Sequence, residues 1–152
     1  MEQTTDMTVR KSVLVRRPPE LAFRVFTEQI ATWWPFQGHS VGDDQAETLV
    51  MEPGVGGRLY ERLRDGREVD WGRIELWEPP RRVAFTWHPG RGAETAQAVD
   101  VRFVADRDGT RVELEHRGWE RVGEGAREKF ESYDTGWEEV LRRFVRTASE
   151  TH

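Results

Sequence analysis

The chain encodes an α+β fold in which a curved antiparallel sheet closes around one long C-terminal helix, and three observations predict it. Turn signals recur at hairpin spacing through the middle of the chain, at Pro53-Gly54, Gly56-Gly57, Asp65-Gly66, Pro79-Pro80, Pro89-Gly90 and Asp108-Gly109. The runs between them alternate apolar and polar residues, as half-buried strands do. Beyond Gly123 and Gly125, residues Ala126, Phe130, Tyr133, Trp137, Val140, Leu141 and Phe144 step by three and four, the period of a helix with a single apolar face. A sheet face and a helix stripe that both need covering are buried most economically against each other.

Thr8 to Arg16 reads as the first strand. Pro18-Pro19 ends it and opens a helix, because the first helical turn has no use for the missing N–H. Leu21, Ala22, Val25, Phe26 and Ile30 form the apolar stripe of that helix, with Glu20, Arg24 and Glu28 opposite. Ala31 to Phe36, with Trp33, Trp34 and Pro35, suits a short second helix or an aromatic corner, and His39 to Gln45 a loop. Six strands then fit between the turns, at about 46–52, 57–64, 68–78, 82–88, 97–105 and 110–117, giving a meander of antiparallel neighbours.

The stretch WGRIELWEPPRRVAFTW, from Trp71 to Trp87, is the best-defined hairpin. Ile74 and Leu76 alternate with Arg73 and Glu75, and Val83, Phe85 and Trp87 with Ala84 and Thr86. Pro79 and Pro80 lack donors for a central ladder and mark the corner. The same parity sets Val99, Val101, Phe103, Val112, Leu114 and His116 inward, and leaves Arg73, Glu75, Arg102, Arg111, Glu113 and Glu115 as solvated surface.

Composition narrows the function classes. A length of 152 residues without a Pro, Gly or Ser-rich linker predicts one domain over 1–152, with an ordered core over about 8–148. Charged residues make up 34%, so the core depends on a concentrated apolar payload of seven Trp and seven Phe. The absence of cysteine excludes disulfides and thiolate metal sites. A net charge of −5 opposes nucleic-acid binding. The start lacks the basic and apolar regions of a secretion signal, and no run approaches the roughly 18 apolar residues of a membrane span. A cytoplasmic location is the expectation.

Taken with GGRLYERLRDG at 56–66, GTRVELEHRGW at 109–119 and GWEEVLRRF at 136–144, the hairpin resembles the SRPBCC (START-like) superfamily, most closely its branch of activator of heat-shock protein 90 ATPase homologues. The resemblance spans residues 8 to 148 and implies a helix-grip fold with a cavity between sheet and last helix. It also implies that His116, before Arg117, Gly118 and Trp119, belongs to the strand end that meets that helix, without a catalytic role common to the branch.

No metal pattern such as HxH or HExxH occurs, so no metal and no cofactor are expected. Ser12, Ser40, Ser132 and Ser149 lie outside any GxSxG turn, which leaves covalent catalysis without a nucleophile and no catalytic residue assigned. The PGVGGR stretch precedes a strand and lacks the lysine of a phosphate loop, so it reads as a tight turn. His39 falls in a loop, His88 at a strand end with outward parity and His152 at the terminus. The aromatics remain. Trp33, Trp34, Trp71, Trp87, Trp119 and Trp137 can all be core, since large rings fill cores by default. A curved sheet closed by one helix also leaves a hollow, and on that reading Phe130, Tyr133 and Trp137 with Trp87 and His116 form its wall, Trp71 being a further aromatic of the cavity. Tyr60, Tyr133 and His116 supply sparse polar anchors, and Trp33 and Trp34 guard the mouth.

Three functions fit. The first is non-catalytic binding of a small hydrophobic or aromatic molecule, which needs none of the missing catalytic groups. The second, from the resemblance, is a protein-interaction module akin to the co-chaperone branch. The third is a cyclase, dehydratase or hydrolase in which His116 works with Glu61 or Asp70. The residues favour binding over catalysis.

Overall fold

The computed structural model describes residues 7–151. Strand β1 (Val9–Val15) leads into α1 (Pro19–Thr27) and the single turn α2 (Ile30–Trp33). Strands β2 (Ala46–Met51), β3 (Arg58–Leu63), β4 (Glu68–Glu78), β5 (Arg82–Trp87), β6 (Gln97–Asp106) and β7 (Gly109–Arg117) follow, and α3 (Ala126–Glu150) ends the chain. The seven strands form one antiparallel sheet in the order β1-β7-β6-β5-β4-β3-β2. The meander therefore runs through six consecutive neighbours, and β1 returns to pair with the last strand.

Pro18 stands before the first turn of α1 and Pro19 within it, as the missing donors require. Helix α1 buries Phe23, Val25 and Phe26; α2 lasts one turn because Trp34 is already extended, with φ −66° and ψ 128°, and Pro35 follows it. Helix α3 lays Trp137, Val140, Leu141, Phe144 and Ala148 against the concave sheet face. Phe26 joins the layers, its ring 5.2 Å from Phe144, 5.8 Å from Phe103 and 5.2 Å from Trp33. At the open side of α3, Lys11 of β1 reaches Glu138 at 2.9 Å and Asp134 at 3.3 Å.

One inward assignment is overturned. Leu76 was expected to share the parity of Ile74, but the β4–β5 ladder passes from Ile74 opposite Phe85 to Leu76 opposite Ala84, an irregularity of one residue. The bulge reverses the faces beyond it. Trp77 then lies opposite Val83 and packs against the core, its ring 5.2 Å from Phe23 in an edge-to-face contact, whereas Leu76 turns away with Ala84. His88 also departs from expectation: it is buried below the β5–β6 connection, with Nδ1 2.9 Å from the Arg91 carbonyl.

Among the described residues no helix is long and apolar enough to cross a membrane, and no group of three or more His, Asp or Glu side chains could hold a metal ion.

The bulge makes a stability prediction. Trp77→Ala is expected to lower the unfolding free energy by about 2–4 kcal/mol, and Leu76→Ala by less than about 1 kcal/mol. Urea denaturation of both variants checks this, and a larger cost at Leu76 would mean that the ladder is regular there.

Candidate functional site

A cavity of about 280 Å³ opens between α3 and the loop that follows α2. The indoles of Trp34, Trp87 and Trp137 line it with Val140, and Tyr133, Gly136 and Ser132 contribute from the exposed turns of α3. Lys129 and Pro89 stand on one side, and Gly38, His39, Ser40 and Val41 of the loop on the other. Four of the nine expected cavity residues are therefore assembled around one space: Trp34, Trp87, Tyr133 and Trp137. The other five lie outside it.

Trp33 and Trp71 are core, and both indoles are satisfied within it: Trp33 donates to the Val25 carbonyl at 2.8 Å and Trp71 to Glu61 Oε1 at 3.1 Å. Tyr60 lies on the opposite face of β3, with the Arg58 guanidinium 4.1 Å above its ring. Phe130 packs on Trp119 at 6.1 Å. His116 is the largest correction. It is fully buried, stacked on Trp119 at 4.2 Å, and occupied at both nitrogens. Trp137 donates its indole N–H to Nδ1 at 3.0 Å; an indole only donates, so the imidazole proton sits on Nε2 and points to Gln97 Oε1 at 3.2 Å. Neither Glu61 nor Asp70 is its partner, and the acid–base role suggested for His116 fails. Burial pushes its ionisation down to about 3, so the ring is neutral at physiological pH.

The loop wall is held from beneath by a carboxylate that the strand pattern hides among charged neighbours. Glu61 is fully buried and accepts three hydrogen bonds: Trp71 Nε1 and the Val41 N–H on Oε1, and the Gly42 N–H at 2.9 Å on Oε2. The approach at 42 is close: a Cβ there would lie 2.5 Å from Leu63 Cδ2 and 3.1 Å from Glu61 Oε2, so a larger residue would displace the ends of both side chains. From the other side Trp34 donates to the His39 carbonyl at 2.8 Å, and Ser40 Oγ donates to the Phe36 carbonyl at 2.6 Å. The loop is thereby fixed at 39, 40, 41 and 42. The clue in the sequence was an acid on apolar parity, since Glu61 alternates with Leu59 and Leu63.

Inside the cavity, Trp87 donates its indole N–H to Tyr133 Oη at 3.1 Å. The phenol keeps its own proton, since burial raises its ionisation above the usual tyrosine range, partly offset by the Trp87 hydrogen bond. Tyr133 thus brings a neutral O–H donor to a cavity floored by three indoles. His39, at the rim, places Nε2 3.2 Å from Glu139 Oε1 of α3.

The family model for activator of Hsp90 ATPase homolog 1-like proteins matches residues 16–149. The chain belongs to this family. An anthrahydroquino-γ-pyrone synthase, Txn09, solved in complex with a ligand designated SUM, is 40% identical, with 91% of this chain and 95% of that one covered and a TM-score of 0.64. Protein MLL2253 from Mesorhizobium loti is 18% identical over 95% of this chain and 98% of its own, with a TM-score of 0.69. Protein NE0264 from Nitrosomonas europaea is 14% identical over 94% of each chain, again at 0.69. These two likenesses concern the fold alone. No curated protein matches in sequence. The helix-grip architecture expected from the resemblance is the one observed.

Two predictions follow from the wiring. Below pH 6.5 the unfolded chain protonates His116 and the folded chain does not until about pH 3. Stability present above 6.5 is therefore lost as the pH falls through that window, by about 1 kcal/mol per pH unit from this residue. Urea midpoints at pH 7 and pH 5 should show a steeper acid loss in the native protein than in His116→Gln; equal slopes would assign the loss to other groups. Glu61→Gln weakens the two backbone anchors of the loop, and is expected to cost about 1–3 kcal/mol and to expose residues 38–43 to proteolysis. Mass mapping of early cleavage sites checks it.

Proposed function

We propose that this protein is a cyclase-type enzyme that holds a planar phenolic polyketide between α3 and the 38–41 loop and closes an oxygen-containing ring on it. The observation that carries this reading is the cavity itself, where three nearly buried indoles form an apolar floor and one neutral phenol offers a proton. Its volume of about 280 Å³ lies at the small end of ligand sites, about 300–1,000 Å³, and suits a thin fused-ring compound better than a lipid. The 40% identical relative described as a γ-pyrone synthase supports the reaction class.

The chemistry asks little of the protein. A phenolic oxygen adds to a ketone carbon, and the carbonyl oxygen takes a proton to become a hydroxyl. That hydroxyl leaves as water when the neighbouring carbon gives up a proton to form the ring C=C, so the net change is loss of one water. No oxidant or metal enters the balance. The indole floor, the 38–41 loop and α3 together hold the fused rings in the reactive conformation, which removes much of the entropic barrier. The Tyr133 hydroxyl serves the carbonyl oxygen as it gains charge, in a site where Trp87 already fixes the phenol's direction. Lys129 suits an anionic substituent at the rim. Binding of a small aromatic molecule is the first step of this reading, and a non-catalytic carrier would share that step.

The test is a hydroxyanthraquinone bearing a 1,3-diketone side chain. Saturable quenching of tryptophan fluorescence together with a product lighter by one water is expected, and Tyr133→Phe should cut turnover by about 10²–10³-fold while affinity changes only a few-fold. Quenching without product would make the protein a carrier. Absence of both would move the function to the outer surface, where the protein-interaction reading lies.

A further inference from the structure

We infer that His39 is the general base of this cavity and that Glu139 is its positioning residue; the inference rests on the cavity reading above. The imidazole reaches the rim from the loop, and its Nε2 lies 3.2 Å from Glu139 Oε1. A carboxylate only accepts, so in the neutral ring the proton sits on Nε2 and Nδ1 is bare. Among the described residues Nδ1 has no hydrogen-bond partner.

Gly136 explains where that nitrogen lies. It interrupts the middle of α3, where glycine costs about 1 kcal/mol relative to alanine. A Cβ at 136 would lie 3.3 Å from His39 Cε1 and 3.7 Å from Nδ1. The ring edge carrying Nδ1 thus rests over the missing side chain, and both residues line the cavity. A lone glycine inside a strong helical pattern calls for a packing or functional reason, and the imidazole supplies one.

The base is also held in place independently of its own side chain. Trp34 holds the His39 carbonyl, and Glu61 holds the backbone N–H groups of Val41 and Gly42. A site on a loop fixed in this way keeps the geometry that catalysis needs. In the reaction, Nδ1 takes the phenolic proton as the oxygen adds to the ketone carbon. The imidazolium that forms is stabilised by Glu139 and gives that proton to the former carbonyl oxygen, making the hydroxyl; Nδ1 then takes the proton of the neighbouring carbon as the ring C=C forms and passes it to the departing hydroxyl, which leaves as water. Tyr133 faces the same space with its O–H, so proton acceptor and proton donor occupy one cavity. With Glu139 half exposed, at 51%, the ion pair modulates the base and does not create it.

The experiment separates proton abstraction from turnover. The probe is 2-hydroxyanthraquinone, used at a pH where the free phenol is largely un-ionised; its visible band moves to the red on ionisation, and tryptophan quenching reports its binding. The native protein is expected to bind it with a red-shifted band. In His39→Gln the bound phenol should be about tenfold less ionised and in Glu139→Gln about threefold less, with the melting temperature close to native and affinity falling by no more than the loss of ionisation. In His39→Gly, added imidazole should restore the band, which a purely structural histidine would not allow. Quenching with the same band in native protein and His39→Gln overturns the assignment of His39 while leaving the cavity reading intact. No quenching in the native protein overturns the cavity reading, and the base falls with it.

Discussion

A buried indole commits its single N–H to an acceptor, since the group cannot accept and leaving it unpaired in an apolar core costs about 1–3 kcal/mol. This chain buries Trp33, Trp34, Trp71, Trp87, Trp119 and Trp137, and each has found one. The acceptors are what give the core its order. Trp137 fixes the rotation of α3 by reaching His116 on β7, Trp87 fixes the Tyr133 phenol, and Trp34 fixes the loop at His39. Trp71 orients the one carboxylate that can hold the rest of that loop. Ring packing alone is tolerant of rotation, whereas these donor–acceptor pairs are directional. The rings supply the burial and the N–H groups supply the register between layers.

Stability and function therefore draw on the same side chains. Trp34 sits within 6 Å of the rings of Trp71, Trp87 and Trp137, and it also forms part of the cavity wall. A change made to reshape the pocket at Trp34 or Trp87 would disturb the whole ring cluster. The peripheral residues have more freedom. His39, Ser132, Gly136 and Glu139 bear no comparable share of the core, so the rim of the cavity can change without unfolding the centre.

The sheet, its strand limits and the apolar face of α3 were legible because period and turn chemistry are local signals. The failures share a different cause. Glu75, Leu76 and Trp77 do not declare where an extra residue enters a ladder, because Leu and Trp side by side satisfy either parity; only the pairing with β5 decides it. For the site, parity correctly turned His116 inward but could not tell a cavity wall from packed core, which depends on Gln97 and Trp119. Glu61 and Gly136 did leave signals, an acid on apolar parity and a glycine inside a helix. His39 left none, since its partner Glu139 lies 100 residues away and only the closure of α3 over the loop brings them together.

The two histidines show why depth is the wrong guide to proton chemistry. A base must be able to carry a charge during the reaction, and His116 is surrounded by rings with both nitrogens occupied and its protonation driven down to about 3. Its value to the fold lies in that neutrality, because a neutral Nδ1 can accept from Trp137 whereas an imidazolium could not. His39 has the opposite surroundings: a side chain 26% exposed, a carboxylate beside it and one nitrogen unoccupied. The fold uses one imidazole as an acceptor that must never charge, and leaves the other partly exposed beside a carboxylate with Nδ1 open. The same division places the rigid indoles at the floor of the cavity and the exposed and partly exposed polar side chains, Lys129 and His39 among them, near its rim.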